Sequence, residues 1–383
     1  MGTKLVPVVA LLAAVALTAG PALAVPPAVR PASAVPAQSA EPPAAEGALG
    51  GDRLASKGLV APKGVKTPPK TKATSFVIAD AETGKVLAAK NAHGRFLPAS
   101  TLKTLTALAL IPKLDRNLKV KPSRTAVNQE GSAVGLSTKP IYKVDDLFKA
   151  LMLTSGNDAA MALAEANGGL GATLADMNAE AKRLQANDTV AKTPSGLDKP
   201  GQSSSAYDLA LIARAGLANP EFRRYVSLKT SRFPAPKGYY EIGNHNKLLW
   251  RYKGMVGVKN GWTSKALGSF VGAAKRDGHT IIVTIMRHEG YFWEEVEQLL
   301  DWGFAVRGKA TPVGTLVDPL PAQPKVEQAK APAVPAAPAA DPVRDTAAEP
   351  ATGYAIGALV IGAAVLGGAG WLFYGIRRRR TAR

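Results

Sequence analysis

Short apolar runs suited to strands stand at both ends of the central part of this chain, and helical spacing fills the middle. Residues 75–80 read as a strand, 82–84 as a turn and 85–88 as the returning strand of a hairpin. The uninterrupted apolar run at 102–111 is too long for a strand and predicts a buried helix with Ser100 at its N-terminus. Helical spacing recurs over 144–154, stops at 155–158, resumes over 159–166, and returns at 172–184 and 206–218. Strands reappear at 254–259 and 269–274. A turn at 276–278 leads into a strongly β-branched strand at 279–286, and an amphipathic helix closes the series at 291–302. Strands at both ends with helices between predict an α/β fold of the α+β kind. Its antiparallel sheet is assembled from the two termini, flanked by helices, and carries a helical subdomain.

The flanks carry a different pattern. Residues 1–24 combine Lys4, an apolar run over 5–17 and the small-residue end Ala22-Leu23-Ala24, the form of a cleaved secretory signal peptide. Residues 354–376 are uncharged and end in Trp371, Phe373 and Tyr374. Arg377-Arg378-Arg379-Arg380 follows at once, which predicts a single transmembrane helix and a basic cytoplasmic tail over 377–383. Residues 25–70 and 317–353 are Pro/Ala-rich without a hydrophobic period and read as linkers. This leaves 71–316 as one domain on the outer side of the membrane, with a core of ordinary size.

Composition narrows the chemistry. No cysteine is present, which removes disulfides, thiol catalysis and thiolate metal sites. The net charge of +19 suits work beside anionic polymers. Nucleic acid is not expected, because neither aromatic interleaving nor a recognition motif accompanies the charge. His93, His245, His279 and His288 do not fall at ligand spacing, and neither a metal nor a cofactor is expected.

Three fragments carry the candidate chemistry: Ser100-Thr101-Leu102-Lys103, Ser155-Gly156-Asn157 and Lys259-Asn260-Gly261. On a helix, Ser100 and Lys103 project from one face. A desolvated lysine near another cation can lose its proton and activate a serine. Alone, the first fragment would more often be an N-cap and a solvated lysine. The order and spacing of all three resemble Ser-x-x-Lys, Ser-x-Asn and Lys-Thr-Gly of the penicillin-binding proteins and serine β-lactamases. The stretches 98–100, 153–160, 193–198, 244–249 and 257–259 look like the D-alanyl-D-alanine carboxypeptidase branch, over roughly residues 71–306.

The resemblance implies a serine β-lactamase/penicillin-binding-protein-like fold. It implies that Ser100 attacks the penultimate D-alanine of a peptidoglycan stem pentapeptide. Lys103 would be the base, Ser155 a proton relay and Asn157 a holder of substrate and Lys103. Lys259 would supply fixed positive charge, and the N–H groups of Ser100 and Trp262 the oxyanion hole. Asn260, Gly261, Trp262 and Thr263 complete the substrate-binding strand, and β-lactams are the expected covalent inhibitors. One position departs from the family: Asn260 stands where threonine or serine is usual. A DD-endopeptidase, a β-lactamase-like hydrolase and a catalytically lapsed peptidoglycan-binding scaffold remain alternatives. For a class A β-lactamase, Glu165, Glu180, Glu221 and Glu241 all lack the expected context around a deacylating glutamate.

Overall fold

The computed structural model describes residues 47–321. The expected leader, spanning helix and basic tail lie outside the described residues. Strands β1 (Leu59–Val60), β2 (Ala73–Asp80) and β3 (Lys85–Lys90) precede helix α1 (Lys103–Leu110), which is entered through a 3₁₀ turn at Ala99–Leu102. Next come β4 (Lys119–Val120), α2 (Arg124–Val127), β5 (Tyr142–Lys143), α3 (Val144–Leu153), α4 (Asn157–Ala166), α5 (Leu170–Arg183), α6 (Ala206–Ala218) and α7 (Pro220–Ser227). The series ends with β6 (Thr230–Pro234), β7 (Tyr239–Gly243), α8 (Leu248–Arg251), β8 (Met255–Thr263), β9 (Leu267–Arg276), β10 (His279–His288), α9 (Trp293–Val306) and β11 (Gly314–Thr315).

The main sheet runs β1-β3-β2-β10-β9-β8, with β11 also pairing β3, and its pairings are antiparallel. Early and late segments meet at the β2–β10 seam, where Val77 faces Thr284 and Phe76 faces Ile285. Side chains alternate across this sheet. Phe76, Ile78, Ile281 and Val283 pack beneath α9 with Leu299 and Leu300. Val77, Ala79 and Ile282 join the helical layer around Leu102, Leu105 and Phe148. Both faces are covered, which is why these strands read as continuous apolar runs rather than as alternation. The α/β class, the antiparallel sheet from both termini and the helical insert are all as the sequence predicts.

The described domain extends beyond its expected bounds of 71–316. Residues 47–70 were expected to be linker, yet β1 pairs β3 at Leu59↔Lys90 and Val60↔Ala89. Leu54 is buried, and the Trp302 indole donates to the Lys66 carbonyl at 2.7 Å. Two isolated apolar residues make no period, so only tertiary contact shows their burial. At the other end, Asp318 pairs with Arg214 and its carbonyl accepts from Gln185. The sequence reading also passes over α7, whose N-cap Asn219 accepts from Glu221 and Phe222, and the hairpin of β6 and β7. Among the described residues no helix is long and apolar enough to cross a membrane.

Candidate active site

The turn that carries Ser100 is clasped from two sides. Ala99 adopts φ 50, a left-handed conformation that non-glycine residues rarely hold. On one side Gly261 of β8 lies so close that a Cβ there would stand 2.6 Å from the Ser100 nitrogen. On the other, Gly196 has φ +82, and a Cβ would stand 1.9 Å from the Ala99 carbonyl oxygen. Only glycine permits both approaches. The Pro98 carbonyl accepts from Thr101 Oγ1 at 2.6 Å and from Ser269 Oγ of β9 at 2.7 Å, which ties the turn to the sheet.

Lys103, at the start of α1, is fully buried. Its Nζ lies 3.0 Å from Ser100 Oγ, 2.7 Å from Asn157 Oδ1 and 2.6 Å from the Ser195 carbonyl oxygen. Burial, followed by the charge of Lys259, holds its ammonium well below the ordinary lysine range, against the pull of Asp158. The carbonyl can only accept, and Asn157 presents its oxygen because its Nδ2 donates to the Glu130 carbonyl at 2.6 Å. A neutral amine satisfies all three contacts. It has two N–H donors for the obligate acceptors and a lone pair for the Ser100 hydroxyl.

Ser155 and Asn157 flank the break between α3 and α4. The break is shorter than the sequence suggests, since Asn157 already belongs to α4. Ser155 takes φ 61, and its buried Oγ has no partner among the described residues. Asp158, not singled out in the sequence, accepts from the backbone N–H groups of Val134, Gly135 and Leu136 at 2.9–3.0 Å. The Asn157 N–H donates to the Ser132 carbonyl at 2.7 Å. The start of α4 therefore holds the 131–136 loop beside the site.

On β8, Lys259 and Gly261 point toward the nucleophile turn, while Asn260 and Trp262 occupy the less buried alternate positions of this edge strand. Lys259 is buried and donates to the Asn260 carbonyl at 2.8 Å. Burial brings its pKa down to about 7. Asn260 is half-buried, and its side chain makes no hydrogen bond to protein among the described residues. Trp262 is 67% exposed, and Thr263 Oγ1 donates to Asp198 at 3.0 Å. Geometry thus joins Ser100, Lys103, Asn157 and Gly261 directly. Ser155 and Lys259 stand beside them without a direct hydrogen bond to Ser100. The Ser195 carbonyl and Gly196 are additions, and the 193–198 stretch was their only sequence signal.

An antiparallel sheet edge beside a Ser–Lys pair defines a serine acyl-transfer enzyme in which no histidine touches the nucleophile. The D-alanyl-D-alanine carboxypeptidase family profile matches residues 62–290, and the chain belongs to that family of serine hydrolases. It is 40% identical over 264 residues to the D-alanyl-D-alanine carboxypeptidase DacB2 of Mycobacterium tuberculosis, covering 67% of this chain and 90% of that protein. It is 33% identical to DacF of Bacillus subtilis, covering 56% of this chain and 57% of that protein. Among solved structures, a D-alanyl-D-alanine carboxypeptidase from Mycobacterium tuberculosis superposes with a TM-score of 0.64 at 39% identity. That match covers 67% of this chain and 99% of the other. A variant of a Streptomyces DD-transpeptidase superposes with a TM-score of 0.59 at 27% identity, covering 62% and 99%. The fold is that of the penicillin-binding proteins.

Proposed function

We propose that this protein removes the terminal D-alanine of peptidoglycan stem pentapeptides through an acyl-enzyme on Ser100. The contact of Lys103 Nζ with Ser100 Oγ, in a setting that favours the neutral amine, carries this reading. Ser100 Oγ attacks the carbonyl of the penultimate D-alanine, and its proton passes to Lys103. The oxyanion is received by the N–H groups of Ser100 and Trp262. As the C–N bond breaks, Ser155 passes the proton on to the leaving D-alanine amine. Water then cleaves the ester and returns a proton to Ser100. Asn157 holds the substrate peptide and the amine of Lys103. Lys259 and Asn260 receive the terminal carboxylate, with Gly261, Trp262 and Thr263 forming the strand along which the peptide lies. β-Lactams acylate the same serine.

The leader in residues 1–24 and the apolar segment 354–376 support export and single-pass anchoring, with the catalytic domain on the cell-wall side. Truncation before Tyr354 is expected to release a soluble domain that still binds labelled penicillin; an inactive product counts against that arrangement.

The test of function is incubation with a pentapeptide stem and mass detection of the loss of one alanine. Ser100→Ala abolishes both this loss and covalent penicillin labelling. Labelling that survives in Ser100→Ala overturns the assignment. Cleavage of crosslinked dimers instead of pentapeptide would make the protein an endopeptidase of the same chemistry. Absence of any acylation would favour the lapsed scaffold.

A further inference from the structure

His93, Asp188 and Asp208 are far apart in sequence and meet in the fold, away from Ser100. A ring nitrogen of His93 and one carboxylate oxygen from each aspartate all lie within 4.8 Å of one another. His93 Nε2 faces the Leu49 carbonyl at 3.1 Å, and Nδ1 faces Asp188 Oδ2 at 2.9 Å. Carbonyl and carboxylate oxygens only accept, so both ring nitrogens donate, and the proton on Nδ1, between His93 and Asp188, is the one a cation can replace. Histidines that bind metals are commonly oriented by such a second hydrogen bond. Arg95 engages Asp188 through its other oxygen, Oδ1, at 2.9 Å.

Asp208, in the first turn of α6, supplies the independent observation. It is 1% exposed. Its Oδ2 accepts from the Asp188 N–H and from Thr189 Oγ1, at 2.8 and 2.7 Å, while Oδ1 is buried without a partner. An orphaned buried carboxylate oxygen is costly. A cavity of about 410 Å³ adjoins all three side chains and is lined also by Leu49, Ala55 and Asn187.

We propose that His93 Nδ1, Asp188 and Asp208 bind one divalent transition-metal cation of the Zn²⁺ class. Imidazole nitrogen with two carboxylates suits such an ion better than Mg²⁺ or Ca²⁺, which prefer all-oxygen sets. Tetrahedral Zn²⁺ with bonds of about 2.0–2.1 Å sets neighbouring ligand atoms roughly 3.3 Å apart. The His93–Asp188 separation of 2.9 Å needs to open by only a few tenths of an ångström. The cavity admits water to the remaining positions. The ion would replace a proton between His93 and Asp188 and give Asp208 Oδ1 its missing partner.

The placement gives the ion a role. His93 leads from β3 into the turn of Ser100, and Asp188 precedes the loop whose Ser195 carbonyl contacts Lys103. Isolated bridges Phe96↔Ser204 and Val190↔Ser203 already join these segments. A bound cation cross-links them without touching the reacting groups, so it stabilises the scaffold of the site.

The experiment uses the full chain, purified without a histidine tag, stripped with chelator and titrated with ZnCl₂. One ion per chain is expected by calorimetry, with a rise in the unfolding midpoint of at least about 4 °C at a hundred-fold excess over the dissociation constant. Asp208→Asn and His93→Gln are each expected to weaken binding at least ten-fold while retaining penicillin labelling, which reports that they fold. Should either variant not fold, a Zn²⁺-dependent shift of the His93 imidazole nitrogen resonances in the unsubstituted chain serves instead. No binding, equal binding in all three proteins, or unmoved His93 resonances at saturation overturns the site.

Discussion

Lys103 Nζ lies nearer to the backbone oxygen of Ser195, at 2.6 Å, than to the hydroxyl of Ser100, at 3.0 Å. The amine is thus positioned by a loop as well as by its own helix. Asn157 fixes it from a third direction. An arginine cannot reproduce this arrangement, because its planar fork does not fit three converging contacts and it stays protonated. Lys103→Arg is expected to slow penicillin acylation by at least about 10²-fold, the usual scale of general-base loss. Near-normal acylation, followed by stopped-flow labelling, would assign the base elsewhere.

The low proton affinity of Lys103 has burial as its main cause and the charge of Lys259 as the next. Acylation requires the neutral amine, so the rate falls on the acid side as Lys103 is protonated. Removing the neighbouring cation raises the Lys103 pKa. Lys259→Met is therefore expected to shift the acid limb of the acylation–pH profile to higher pH. A limb that stays in place, or moves to lower pH, contradicts the coupling.

Lys259 itself titrates at about 7 in the free protein, against about 10.4 for an unperturbed lysine. Its folded value is depressed, so the unfolded chain binds more protons between these limits. Stability gains a contribution as pH rises from about 7 toward 10. A substrate carboxylate reverses the preference by stabilising the ammonium. At pH 8, binding of a free-carboxylate peptide to Ser100→Ala is expected to take up protons, seen as buffer-dependent heat in calorimetry. Proton release, or none, would show that Lys259 does not meet the carboxylate.

Gly196 supports the nucleophile turn by contact alone. In Gly196→Ala the new methyl collides with the Ala99 carbonyl, and the residue must also hold φ +82. Loss of at least about 1 kcal/mol of stability is expected, together with slower acylation because the turn must move. Chemical denaturation and labelling of one preparation test both, and an unchanged midpoint would disprove the close approach.

Asn260 is expected to replace the hydroxyl usual at its position and to hydrogen-bond the substrate carboxylate. Asn260→Ala should cost about 1–3 kcal/mol in turnover of free-carboxylate substrates and much less on an amidated analogue. Equal losses on both would make Asn260 a support of the strand.

Much of this architecture is legible in the sequence because local and tertiary signals agree. Helix α6 runs over 206–218 as read, with Ser205 capping it through Asp208 N–H. The β2–β3 hairpin keeps its turn, where Asp80 accepts from the Thr83 N–H at 2.8 Å. Other parts depend on contacts between distant segments. The β6–β7 hairpin mixes polar and aromatic residues without a clear period, and its Tyr240 hydroxyl donates to the Val134 carbonyl across the cleft loop. The Ser195 contact uses a main-chain oxygen, which every residue type possesses, so no side chain announces it. The pairing of His93 with Asp188 joins loops separated by five helices, α1 to α5, in the chain order.

Strands β1 and β11 both lie on β3, and the Thr315 N–H donates to the Gly50 carbonyl at 2.8 Å. The chain therefore enters and leaves this domain side by side. Strand β8 forms the far edge of the same sheet, four strand spacings from β3, or roughly 19 Å. A force applied between the two ends of the described residues is therefore borne by the short strands at that junction, and the catalytic edge stays unloaded.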